Sequence, residues 1–302
     1  MGDCGEDRGM SSSGLFSRMR GTLRRSGPVP IIGFVRFSVL FGAQDFFSEM
    51  KDKSPEERRA ILFDPARMDD RFRYFEALTL PSLTAQQDDD WRAVIFYSTE
   101  LPPAYRDRLL DLVATHTHLE PVAYAPDQKL AAELRRQVAA YIPDPPGLHA
   151  GFRLDDDDGL ANTFIARLRE LLTEYGREGT GISFSAGHLL KAEPGGAGFR
   201  LAETVRNFGV GCGLTLVTDG KAGRDIFHLG RPHRRIDEAF PTIADAREPM
   251  FICSAHARND SGTGSLRHAK LERSEVLDAA EVRSRLGPSF AHLDLAKLAG
   301  AG

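Results

Sequence analysis

Cysteine is scarce in this chain: Cys4, Cys212 and Cys253 are the only three, widely spaced, and none forms a C-x-x-C pair. That pattern excludes a disulfide framework and a thiolate zinc site, and makes a reducing compartment the expectation. An excess of either charge is missing too. Lys plus Arg total 39 against 43 for Asp plus Glu, a formal balance of −4, so no basic surface advertises nucleic acid as a partner. No apolar run reaches the roughly 18 residues that a membrane-spanning helix needs, and the first residues lack the apolar core of a secretory signal. A cytosolic protein is expected. The acid-free stretch from Met10 to Pro30 qualifies this, because Leu15, Met19 and Leu23 recur four apart among Arg18, Arg20, Arg24 and Arg25. Residues 1–29 read as a flexible basic tail whose amphipathic pattern suits peripheral contact with an anionic membrane.

What is present is an ordinary globular composition, 41% hydrophobic and 27% charged, in a chain long enough to bury a large core. Past Pro28 and Pro30, Ile31 to Phe41 (IIGFVRFSVLF) reads as a buried opening strand. Ser54 and Pro55 predict the N-cap and first position of a short helix ending at Ile61. Phe72, Phe75 and Leu78 mark a helical face that Pro81 should kink or split. Strand Trp91–Ser98, helix Pro102–Ala114, strand Leu119–Ala125, helix Gln128–Tyr141, strand Leu148–Leu154 and a helix over Gly159–Tyr175 continue the alternation. Such alternation predicts an α/β fold, a mostly parallel sheet flanked by helices, with ligands beyond the carboxyl ends of the strands. From Ile182 the chain becomes Gly-rich and extended, a β-rich C-terminal half closed by a helix over Ser274–Leu286.

At the end of the fourth predicted strand stand four consecutive carboxylates, Asp155 to Asp158. Asp158 alone suits a helix N-cap, and the helix dipole tolerates acids there. Four together raise one another's pKa and oppose folding unless cations neutralise them. Arg153 answers one charge; a divalent metal answers two. A calcium loop of the EF-hand type fails, since Leu160 and Ala166 occupy its sixth and twelfth positions. Three readings remain open. Asp156, Asp158 and Gly159 spell a phosphatase-like DxDG, with one Asp as nucleophile. The same acids could serve a non-catalytic metal- or glycan-binding protein. The third is the aspartate–x–aspartate signature of nucleotide-sugar glycosyltransferases, whose hard oxygens suit Mg²⁺ or Mn²⁺ bridging a diphosphate.

Three blocks, RFSVL (Arg36–Leu40), Phe75–Pro102 and RLDDDDGLANTFI (Arg153–Ile165), together with the later GCGLTLV and SAHARND, give the chain a resemblance to a bacterial rhamnosyltransferase family over Ile31–Gly262. That family is related to the family 2 type of GT-A glycosyltransferase. The resemblance implies a GT-A-like, Rossmann-type sheet in a single domain over 30–302, with 30–180 binding the nucleotide-sugar and 181–302 serving the acceptor. It implies a nucleotide-diphospho-sugar donor, Mn²⁺ or Mg²⁺, and a glycan or other hydroxyl acceptor. Carried onto this sequence, Asp155, Asp157 and His256 become metal ligands, and Arg36, Arg153, Asp155 and Asp158 nucleotide contacts. His228 and His233, with Arg231, Arg234 and Arg235, form a cationic loop that either meets pyrophosphate or is a solvated face. No acid is singled out as general base; Asp219, Asp237 and Glu238 are the candidates. Gly209, Gly211 and Gly213 read as turn chemistry rather than a dinucleotide loop, and Ser183, Ser185 and His188 on one strand do not make a triad.

Overall fold

A strand covered on both faces reads as a near-continuous apolar run, and IIGFVRF does so because β1 (Ile31–Phe37) lies inside a seven-stranded sheet. The computed structural model describes residues 28–39, 53–142, 147–204, 208–219, 224–230, 232–256 and 266–300. Residues 1–27 of the basic tail, Cys4 among them, Arg231 and the expected strand end at Leu40–Phe41 fall outside them. In chain order there follow α1 (Pro55–Leu62), α2 (Pro65–Tyr74), a π-helical turn (Phe75–Thr79), α3 (Leu80–Thr84), β2 (Arg92–Ser98), α4 (Pro103–Val113), β3 (Leu119–Tyr124) and α5 (Leu130–Tyr141). Then come β4 (His149–Asp155), β5 (Gly159–Leu160), α6 (Phe164–Tyr175), β6 (Gly181–Phe184), β7 (Gly187–Ala192), β8 (Phe199–Thr204), β9 (Thr215–Thr218), β10 (Thr242–Asp245) and β11 (Phe251–Ser254). The chain closes with α7 (Leu266–Glu272), β12 (Val276–Leu277), α8 (Ala279–Leu286) and α9 (Leu295–Leu298).

The main sheet has the order β10-β6-β9-β4-β1-β2-β3, parallel throughout except where β9 runs against β4 and β6. Its faces sort by residue parity. Ile31, Val35 and Phe37 join the core beneath α2, α4 and α6, whereas Ile32 and Phe34 meet Leu130, Leu134 and Val138 of α5. Strands from both sides of residue 180 therefore share this sheet. A second, five-stranded sheet, β12-β8-β7-β11-β5, carries the remaining extended segments of the C-terminal half.

Pro81 splits the helix in the way its chemistry requires. Its ring cannot coexist with a normal i−4 bond, and the π-helical turn absorbs the mismatch: Leu80 N–H donates to the Phe75 carbonyl, five residues back. The Ala77 carbonyl, four residues before Pro81, accepts instead from Asp294 N at 3.0 Å. A proline that breaks one ladder thus docks the C-terminal segment. Two expected helices start later than their periodicity suggests. Gly159–Leu160 pairs antiparallel with β11, so α6 begins at Phe164 and Asp158 does not cap it. Val276–Leu277 pairs with β8, and α8 begins after Asp278, which forms a capping box with Glu281.

Gly33 sits opposite Phe152 in the β1–β4 register, and a Cβ built on it would lie 2.5 Å from the Phe152 ring. Gly33→Ala is expected to lower the unfolding free energy by about 1–3 kcal/mol in a urea titration, the usual cost of overpacking. An unchanged midpoint would show that the ring has room to move.

Candidate active site

Register and parity build the first half of the site. Arg36 is the β1 partner of Asp155, and Arg153 stands two residues before Asp155 on the same face of β4. Asp155 is thereby held between two guanidiniums, bonded to Arg36 and to Arg153 at 3.2 Å. Phe227 lies 5.2 Å from the Arg36 guanidinium carbon and 5.5 Å from that of Arg153, an aromatic platform for both. Gly211 passes over Arg153, and Gly209 holds φ +64° with its carbonyl accepting from His233 Nδ1 at 2.7 Å. The GxGxG is a set of turns that packs on Arg153.

The second half comes from the opposite face. Arg71, buried on α2, donates through one Nη1 to Asp156 at 2.7 Å and to Asp157 at 2.9 Å. Asp156 also accepts from Ser38 N at 3.2 Å, where Ser38 takes the left-handed φ of 46° at the end of β1. Asp157 Oδ2 is 3.0 Å from His256 Nε2, and the Tyr74 ring packs on His256 at 4.3 Å between centroids. Asp158 accepts from Ser254 N at 3.0 Å, and its carbonyl accepts from Thr79 Oγ1 at 2.8 Å. Arg36, Arg71 and Arg153 together supply countercharge to Asp155, Asp156 and Asp157.

Electrostatics separates the acids. Burial works against the charged form of Asp155, but Arg36 and Arg153 outweigh it and hold this carboxyl well below the usual carboxylate range. Burial pushes Asp156 up to about 6, against the pull of Arg71. Asp157 feels the same burial, yet Arg71 and the His256 bond keep it below its ordinary value. Asp155 is the accessible acid, with 35% of its side chain exposed, whereas Asp156, Asp157 and Asp158 are 3%, 5% and 8% exposed.

The structure brings Arg36, Arg153, Asp155, Asp157 and His256 to the carboxyl edge of β1 and β4, and places the other sequence candidates differently. Asp219 follows β9, whose Thr218 pairs with His149, so it lies at the opposite end of β4, about 20 Å away by strand rise. Asp237 and Glu238 are exposed on the 3₁₀ turn His233–Glu238, with Glu238 bonded to Arg235. His228 is bonded to Asp225 at 2.9 Å. Among the described residues, the one group of possible ligands whose atoms all lie within 4.8 Å of one another is Asp158, Cys212 and Cys253, all buried. Burial and the bond to Cys253 push the Cys212 thiol up, and it donates to the Gly159 carbonyl at 3.5 Å, as a protonated structural thiol would. Asp155, Asp157 and His256 do not converge to that degree.

Arg71 and Phe227 were missed from sequence. Arg71 had a signal, a charge three residues after Met68 and four before Phe75 on the buried stripe of its helix. Phe227 had none, because its partners Arg36 and Arg153 are distant in sequence.

A family model described as putative rhamnosyl transferase matches residues 30–268 of this chain. The chain belongs to this family. It is a glycosyltransferase, and the resemblance drawn from RLDDDD and its flanking blocks is borne out over nearly the span expected. No curated protein matches it. Among solved structures, S. aureus TarS 1-349 in complex with UDP superposes with a TM-score of 0.37 at 8% identity, covering 84% of this chain and 68% of that one. The same enzyme with UDP-GlcNAc gives 0.38 at 9%, covering 84% and 69%. A 4-diphosphocytidyl-2C-methyl-D-erythritol synthase gives 0.36 at 15%, covering 86% and 100%. These likenesses are remote.

Arg71→Met would leave two buried carboxylates without their shared guanidinium. The expected loss is about 3–5 kcal/mol of stability at pH 8. Without Arg71 the folded-state pKa of Asp156 rises further and that of Asp157 rises above the unfolded value, so the folded state binds more protons and its stability falls as pH increases. The deficit in denaturant titrations should shrink at pH 5; a deficit equal at both pH values would contradict this account.

Proposed function

We propose that the carboxyl edge of β1 and β4 is the donor site of a metal-dependent glycosyltransferase moving rhamnose from a nucleoside diphosphate to a hydroxyl of a glycan or similar acceptor. The observation that supports this reading is the placement of the Arg36–Asp155–Arg153 group and the Asp157–His256 pair at the strand ends where an open α/β sheet takes its ligands. Arg36 and Arg153, already stacked on Phe227, offer guanidiniums to a diphosphate, and the exposed oxygen edge of Asp155 offers acceptors to ribose hydroxyls.

Asp157 and His256 fit a divalent cation. Their Oδ2 and Nε2 atoms are 3.0 Å apart, the separation of neighbouring ligands about 2.1 Å from one ion. Mn²⁺ or Mg²⁺ bound there would supply Lewis acidity to the leaving diphosphate, its remaining positions filled by water and phosphate oxygens. Tyr74 packs on the His256 ring and holds its orientation, and Arg71 bonds the same Asp157 Oδ2 at 2.9 Å. Asp155 and Asp157, held ionised by cations, are poor bases, and Asp156 is bonded to Arg71 and Ser38. With Asp219 at the far end of the sheet, Asp237 and Glu238 remain as base candidates. The C-terminal half, residues 181–302, is assigned to the acceptor.

The phosphatase-like alternative is disfavoured by burial. Asp156 and Asp158, its nucleophile and acid, are 3% and 8% exposed and engaged by Arg71, Ser38 N and Ser254 N.

Incubation with UDP-, dTDP- and GDP-sugars, rhamnose donors included, should release nucleoside diphosphate from one base class in the presence of Mn²⁺. Asp157→Asn and His256→Ala should each lower the rate on the order of 100-fold. Turnover of p-nitrophenyl phosphate without any sugar-nucleotide cleavage would return the phosphatase reading.

A further inference from the structure

A cavity of about 450 Å³ opens on the α5 face of the main sheet, toward the amino end of β4. Its walls are Phe34 of β1, Leu134 and Val138 of α5, Leu216 of β9, and Ile226. Gly151 of β4 keeps the floor open: a Cβ there would come 3.1 Å from the Phe34 ring. Volume and apolar lining are those of a small-molecule site rather than a packing defect.

Two polar features give the cavity a direction. His149, 4% exposed, stands in its wall with an Nδ1 that has no hydrogen-bond partner, and burial pushes its pKa down so that the ring is neutral. Arg135 and Arg224 stand exposed among the lining residues. Asp219 is also among the lining residues, while the Asp225 carboxylate is taken up by His228 Nδ1 and by the N–H groups of Phe227 and His228. Phe227 also packs edge-on to Phe34, 6.4 Å between centroids, so one ring stands between this cavity and the Arg36–Arg153 pair.

We propose that the cavity binds a small amphiphile, its apolar body against Phe34, Leu134, Val138, Leu216 and Ile226, its single anionic head at Arg135 and Arg224. His149 meets a polar group along the body. The site is separate from the donor site, and neither Asp155 nor the metal takes part in it.

The test uses the full chain, with decanoate, decyl phosphate and decanol displacing 1-anilinonaphthalene-8-sulfonate, read by fluorescence. Decanoate and decyl phosphate should displace the dye at one saturable site, and decanol at least tenfold more weakly. Ala139→Trp, an exposed α5 position lining the mouth, should weaken both anions at least tenfold with nucleotide release from the donor unchanged. The pair Arg135→Glu and Arg224→Glu should erase the preference for the anions over decanol. Decanol binding as tightly as decanoate overturns the anionic head. Absence of saturable binding, or affinities unmoved by Ala139→Trp in a protein that melts normally, overturns the site.

Discussion

Four carboxylates on consecutive residues at the edge of a core can exist only if cations or hydrogen-bond donors reach them, and the surrounding structure is arranged so that they do. Asp155 ends β4 and Asp156 and Asp157 turn away from it, so the acids leave the strand end in different directions and need different partners. Arg36 and Arg153 take Asp155 from the α5 face, and Arg71 takes Asp156 and Asp157 from the α2 face. His256 adds to Asp157, and backbone N–H groups of Ser38 and Ser254 fill remaining acceptor positions. Breaking any one arrangement exposes the others to an uncompensated buried charge.

That requirement reaches far along the chain. β1 must be in register with β4 for Arg36 to meet Asp155, and Gly33 makes the register possible by leaving space for Phe152. α2 must run close enough to present Arg71, and the π-helical turn that follows it aims Thr79 at the Asp158 carbonyl and Ser82 at Leu160 N. β11 of the second sheet brings Ser254 and His256 from a distance of almost a hundred residues. The same contacts that balance the charge therefore join the two sheets and leave Asp155 as the most exposed of the four acids.

Much of this was legible beforehand. β1 to β4 and their intervening helices followed from apolar runs and i+4 spacing, and the acid run was placed at the end of a strand, where β4 ends at Asp155. The short strands were not legible, because Gly159–Leu160 and Val276–Leu277 are too brief to show a period and owe their conformation to partners in β11 and β8. The position of Asp219 was not legible for a related reason: nothing in a strand's residues tells whether it runs parallel or antiparallel, and the reversal of β9 carries Asp219 to the opposite end of β4 from Asp155. The countercharge was underestimated because Arg71 lies 85 residues from Asp156.

The central claim is that Asp157 and His256 complete a cation site for a nucleoside diphosphate. It is tested most directly by electron paramagnetic resonance of Mn²⁺ titrated with the protein, with and without the preferred nucleoside diphosphate, in the parent chain and in Asp157→Asn/His256→Ala. The account predicts weak Mn²⁺ binding alone, tighter binding with the diphosphate, and loss of both in the double variant with the fold intact. Equal Mn²⁺ binding by the variant, or diphosphate binding that is indifferent to the metal, would contradict it.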